Sequence, residues 1–137
     1  MIDLALVAKK LAFIETCIRD LDELARPDAM RADVREERFV EHTLQIAIQA
    51  ALDVASHIVS DARLGEPRTN RELFSLLERG SVLPADLAER LGAMAGFRNV
   101  LVHGYGDVDL ALVADVVRNR LGDLRDFVTR VRERLRA

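Results

Sequence analysis

The stretch AGFRNVLVHGYGDVD, residues 95–109, gathers Arg98, Asn99, His103 and Tyr105 among apolar positions and glycines. A histidine can take up or release a proton near neutral pH, and the planar arginine cation matches the oxygens of a phosphate. These are the parts needed to cleave RNA without a metal. The histidine moves a proton at the ribose 2′-hydroxyl or the leaving oxygen, and the arginine stabilises charge at phosphorus. Other chemistries find less support in the stretch. One histidine without converging Cys, His or carboxylate groups is a poor transition-metal site, so neither a metal nor a cofactor is expected. There is no Ser–His–acid set, and no glycine-rich loop leads into a Lys-Ser or Lys-Thr pair. On residue types alone a plainer role carries more weight, because Arg and His at a helix end cap carbonyls and complement the helix dipole.

Spacing limits how such a pair can act. Arg98 and His103 are five residues apart, which on an ideal helix separates them by about 140°. They converge only if the helix ends near His103, as Gly104 and Gly106 encourage. A two-fold axis at this helix end would also bring two such clusters face to face.

The elements that must position the cluster read as helices. From Asp3 to Leu24, Leu4, Val7, Leu11, Ile14, Ile18 and Leu21 form a one-sided stripe, stopped by Pro27. A longer helix is expected from about Val34 to Leu64. Between Ile46 and Val59 it is apolar on most sides, which requires cover from its own chain or from a second one. Gly65 and Pro67 break the chain, and Thr69 to Glu72 reads as a capping box opening NRELFSLLERG. Pro84 suits the first turn of a fourth helix, about Ala85 to Val102. Asp107 or Asp109 can cap a last helix striped by Val113, Val117, Leu121, Leu124, Val128, Val131 and Leu135. No segment alternates with the period of a strand. The expectation is an all-α, up-down bundle of five helices in one domain spanning residues 1–137, with long helices that dimerise.

Composition narrows the setting. The chain has 137 residues, half of them hydrophobic and 4% aromatic, with a net charge of −3. That balance disfavours diffuse nucleic-acid binding but leaves room for a local basic site. No stretch approaches the roughly 18–20 apolar residues of a membrane span. MIDLALVAKK has the wrong charge order for a secretory signal. A soluble, cytoplasmic protein without a membrane partner is expected. Cys17 falls at an apolar helix position and reads as a small buried hydrophobe. His42 and His57 lie about 60° apart on one helix but four turns from each other, too far to share a metal. The last helix carries seven arginines, among them Arg118, Arg120 and Arg125, beside Asp115, Asp123, Asp126 and Glu133. These read first as a solvated face with intrahelical ion pairs. The other reading is a weak electrostatic track for RNA or for an acidic partner.

RNVLVHGY resembles the Arg-x4-His-x-Tyr signature of the HEPN superfamily, specifically of HepT-like toxins paired with minimal nucleotidyltransferase antitoxins. LQIAIQAALDVASHIV and LFSLLERGSVLPADLAERLGAMAGFRNVLVHGYGDVD are similar to the same family in content and order, over roughly residues 38 to 135. The resemblance implies a helical homodimer, open to higher assembly, with two motif copies lining one cleft, and a metal-independent endoribonuclease. It implies that Arg98 and His103 are the catalytic pair and that Asn99 supports them. Tyr105 matches the tyrosine that the antitoxin modifies with AMP, which would set anionic phosphate and bulk beside the residues that receive RNA. The competing expectation is a non-catalytic module that binds a nucleotide or presents Tyr105 to its partner.

Overall fold

Asp3 opens the first helix by accepting a hydrogen bond from the Leu6 N–H at 3.0 Å, which satisfies one of the free donors of the first turn. The computed structural model describes residues 2–104 and 108–136. Helix α1 runs Leu4–Leu24 and buries Val7, Leu11, Ile14, Cys17, Ile18 and Leu21. Leu4, expected on that stripe, is 55% exposed because it stands a turn ahead of the core. A short 3₁₀ turn at Pro27–Ala29 leads to α2, Val34–Asp61, capped by the Asp33 carboxylate on the Arg35 N–H.

Helix α2 stops three residues before the expected Leu64. Arg63 takes a left-handed φ of 52°, the Arg63 N–H bonds to the Ser60 carbonyl, and the Leu64 N–H bonds to the Val59 carbonyl at 3.0 Å. This paired closure satisfies carbonyls that would otherwise end free. It uses an arginine where glycine is usual, so Gly65 pointed too far along the chain.

Helix α3 spans Asn70–Arg79, with the Thr69 hydroxyl accepting from the Glu72 N–H. The expected capping box closes one residue off: the Glu72 carboxylate accepts from the Arg68 N–H rather than from that of Thr69. Pro84 caps α4, Ala85–His103, instead of lying inside its first turn. The single last helix expected from the sequence is two, α5 at Leu110–Asn119 and α6 at Leu121–Arg136, so the described residues form six α-helices. Arg120 marks the break, between Asn119 and Gly122, both weak helix formers. The apolar stripe gives no sign of it, since Val113, Val117, Leu121, Leu124, Val128 and Val131 are all buried on both sides of the bend. Of the two candidate caps, Asp109 accepts from the Ala111 and Leu112 N–H groups. Asp107 lies outside the described residues.

Packing answers the question posed by the apolar α2. Helices α1, α3, α4 and α6 all pack against it, so most of its surface is covered by its own chain. Phe74 of α3 meets Phe127 of α6 edge to face, with ring centroids 5.9 Å apart, deep in the same continuous core. Arg132 binds Glu15 with two hydrogen bonds of 2.6 and 2.9 Å, and Arg125 meets Asp22, so α6 is strapped to α1. Arg90 bonds to the buried Asp123 at 2.9 Å and ties α4 to α6. Among the described residues there is no strand, and no helix is long and apolar enough to cross a membrane.

Candidate functional site

The fully buried part of α4 ends at Phe97. Leu87, Ala88, Leu91, Met94, Ala95 and Phe97 are buried, whereas residues 98–103 are half-buried or exposed. The last turn and a half of α4 therefore lies at the margin of the bundle, with Leu101 still packed against the core, and carries Arg98, Asn99 and His103. Arg98 is half-buried. Its Nη1 donates to the Asn99 Oδ1 at 3.2 Å, while its Nε is buried without a hydrogen-bond partner. A buried donor left unpaired costs about 1–3 kcal/mol, so this guanidinium is held where it is not satisfied by its own chain.

Asn99 and His103 are both exposed, and at a spacing of four they share one face of α4. The helix does end at His103, but it does not unwind to turn His103 toward Arg98. Gly104 keeps right-handed angles, φ −73° and ψ −21°, and its N–H bonds to the Val100 carbonyl at 2.8 Å. Asn99 is what bridges the two faces, since Arg98 leans onto it and it lies alongside His103. Gly104 serves by close approach. A Cβ there would stand 2.6 Å from the Val100 carbonyl oxygen and 2.7 Å from Val108 Cγ2. Tyr105 and Gly106 lie outside the described residues.

This end of α4 is a ridge between two hollows. On one side Phe97 and Val100 face Leu112 and Val116 of α5 across a groove of about 490 Å³. On the other, Leu101, Val102 and Val108 face Glu41, His42 and Gln45 of α2 across a hollow of about 460 Å³. The sequence reading passed over Glu41 and Gln45. Their signal was a polar row at positions 37, 38, 41, 42 and 45 of an otherwise apolar helix.

The C-terminal arginines are distributed differently from expectation. Arg118 pairs with Asp28 of the 3₁₀ turn and Arg125 with Asp22 of α1, across elements rather than within a helix. Arg120 keeps the expected intrahelical partner, Asp115 at 3.8 Å, and is the one of the three that also lines the groove beside Phe97 and Val100. His57 is half-buried and His42 exposed. Cys17 is 3% exposed, and burial pushes its thiol up to about 11, so it is a packing residue rather than a nucleophile. Among the described residues no group of three or more His, Cys, Asp or Glu side chains could hold a metal ion.

The helical bundle and the polar ridge on α4 define an all-α protein with a candidate site at one helix end. The ribonuclease HepT-like family matches residues 14–131, and this chain belongs to that family. It is 30% identical over 124 residues to the mRNA nuclease HepT of Shewanella oneidensis, covering 90% of this chain and 93% of that protein. It is 34% identical over 101 residues to the tRNA nuclease HepT of Aphanizomenon flos-aquae, covering 70% of this chain and 69% of that one. Among solved structures it resembles the tri-AMPylated Shewanella oneidensis HEPN toxin in complex with its MNT antitoxin. The TM-score is 0.87 at 29% identity, over 97% of this chain and 99% of that chain. Bacillus subtilis YutE shares the fold, with a TM-score of 0.88 at 19% identity over 98% of this chain and 91% of that chain.

Proposed function

We propose that this chain is the toxin of a toxin–antitoxin pair, a metal-independent endoribonuclease that acts as a homodimer through Arg98 and His103. The observation that carries the reading is the Arg98 guanidinium, held at the end of α4 with a buried Nε that no side chain satisfies among the described residues. An RNA phosphate is the ligand such a group is shaped to receive. Membership of a family with named mRNA and tRNA nucleases supports RNA as the substrate. The AMPylated toxin seen with its antitoxin supports a nucleotidyltransferase partner and AMPylation as the switch; Tyr105 as the residue modified rests on the match of its motif position.

The chemistry divides between two copies of the motif. One neutral His103 accepts the proton of a ribose 2′-hydroxyl, whose oxygen attacks the adjacent phosphorus. The P–O5′ bond breaks, and a protonated His103 of the second copy gives its proton to the departing 5′-oxygen. Arg98 stabilises the charge on the non-bridging oxygens, oriented by Asn99. The products are a 2′,3′-cyclic phosphate and a 5′-hydroxyl. Two copies resolve the angular problem on α4, because each histidine then works beside the arginine of its neighbour.

The test compares wild type and His103→Ala on total RNA in EDTA, with product ends identified. Wild type should cut and leave cyclic phosphate ends, and the variant should be slower by at least about 10²-fold. Equal rates from two folded, dimeric proteins would sink the nuclease reading and favour the non-catalytic module. Preincubation with the antitoxin and ATP should silence wild type and leave Tyr105→Phe active; silencing of both would remove Tyr105 from the switch.

A further inference from the structure

The hollow between α2 and the end of α4 has chemistry that the catalytic pair does not use. Its volume is about 460 Å³, within the range of small-ligand pockets and large enough for one nucleotide. One wall is apolar, formed by Leu101, Val102 and Val108. The facing wall is the polar row of α2, with Arg38, Glu41 and Gln45 toward its middle. Further along α2 the polar side chains are satisfied within the chain: Gln49 donates to Asp53 at 2.9 Å, and Lys10 reaches the same carboxylate at 3.1 Å. Arg38, Glu41 and Gln45 make no side-chain hydrogen bond among the described residues, so their polar atoms face the hollow and solvent. Burial and the neighbouring Glu37 push the Glu41 carboxyl above its ordinary range, while Arg38 opposes them. A half-buried carboxylate on the wall of a hollow is free to accept from a ligand that enters it.

We infer that this hollow is a subsite for a guanine base of single-stranded RNA, with Glu41 reading the base edge and Leu101, Val102 and Val108 supporting its face. A carboxylate only accepts, and its two oxygens match two parallel N–H donors. Guanine offers that pair at N1–H and the N2 amino group; adenine, cytosine and uracil each present a single donor group there. Unstacked bases of single-stranded RNA are read on such edges. Arg38 suits the guanine O6 and N7 acceptors, and Gln45 can complete the edge from the next turn of α2. Leu101 and Val102 follow Arg98 by three and four residues, so the base would lie about one helical turn, ~5.4 Å, from the arginine that holds the phosphate. The inference rests on the RNA-cleavage reading for the strand, but the base pocket itself can be tested without cleavage.

The experiment measures binding to the His103→Ala protein, which leaves RNA intact. A uridine hexamer carrying one guanosine should bind about tenfold tighter than one carrying one adenosine, and GMP should outbind AMP similarly. Glu41→Gln in the same background should erase both preferences, with circular dichroism showing that it is folded. Methyl signals of Leu101, Val102 and Val108 should move when GMP is added. Equal affinities, a preference that survives Glu41→Gln, or GMP shifts elsewhere in the protein would each overturn the inference. A preference for GMP with no difference between hexamers would overturn the RNA strand as the source and leave a free guanine nucleotide as the occupant. Guanine selectivity in a chain whose wild type cuts no RNA would sink the nuclease reading alone and leave the subsite standing.

Discussion

At the seam between α1 and α6, Glu15 and Arg132 meet with two hydrogen bonds, and Asp22 and Arg125 meet about two turns further along the helices. At the end of α4, among the described residues, Arg98 finds only the side chain of its neighbour Asn99, its Nε is left unpaired, and His103 stands in solvent. Both regions present arginine, yet one is closed by the chain and the other is left open. The seam's charges are satisfied locally and add modestly to stability. The Arg98 guanidinium is held at a cost, which a phosphate of the kind proposed above would offset.

The contrast breaks most sharply if arginines are exchanged between the two roles. Arg98→Met should lower RNA cleavage by about 10²-fold or more, the loss expected when a well-placed charge is removed. It should also raise unfolding stability by about 1 kcal/mol, because the unpaired buried Nε goes with it. Arg132→Met should leave cleavage intact. Parallel activity assays and urea titrations read both arms, and equal activity in the two variants would erase the distinction.

Next in size is the support beneath the seam. Phe127 is fully buried against Phe74, so Phe127→Ala should cost about 3–5 kcal/mol, seen as a drop in the urea midpoint. A loss below ~1 kcal/mol would mean that α6 is not the brace described here.

The smallest effect concerns the seam's own charges. The Arg132 hydrogen bonds hold the Glu15 carboxyl below its ordinary range against the opposing effect of burial. A depressed carboxylate contributes stability above its unfolded value of about 4.3 and loses it as pH falls through the lower folded value. Glu15→Gln should therefore cost no more than about 1 kcal/mol at neutral pH, since both partners are well exposed, and the deficit should vanish on acidification. Unfolding curves of both proteins from pH 7 down to 2.5 check the sign. A deficit that grows toward low pH would contradict the pairing.

Much of the fold was legible because burial follows period. The stripes on α1, α5 and α6 named most of the buried residues, since apolar spacing is what the core selects, but passed over Ala114, Val116 and Phe127 and included the exposed Leu4. The missed boundaries have local causes that period does not encode: a left-handed arginine ending α2, and a bend at Arg120 that keeps the stripe in phase. At the site, residue types and resemblance singled out Arg98, Asn99 and His103, and the structure adds that Arg98 leans on Asn99. The orphaned Nε could not be read from letters, because it depends on which neighbours fail to arrive. Glu41 was overlooked because it sits on a different helix, some 57 positions before Arg98 in the chain.

The straps between α1 and α6 also impose a schedule. Arg132 follows Glu15 by 117 positions, so at ~5–20 residues per second the ribosome needs roughly 6–23 s to supply the second half of that contact. Over only the last 29 positions of this interval, roughly 1.5–6 s, α4 and its polar end are already made while the helix that braces them against α1 is not. Assembly of the open site is thereby deferred until α6 emerges. Spacing along the chain thus acts as a clock, separating the moment the reactive residues are synthesised from the moment they are mounted.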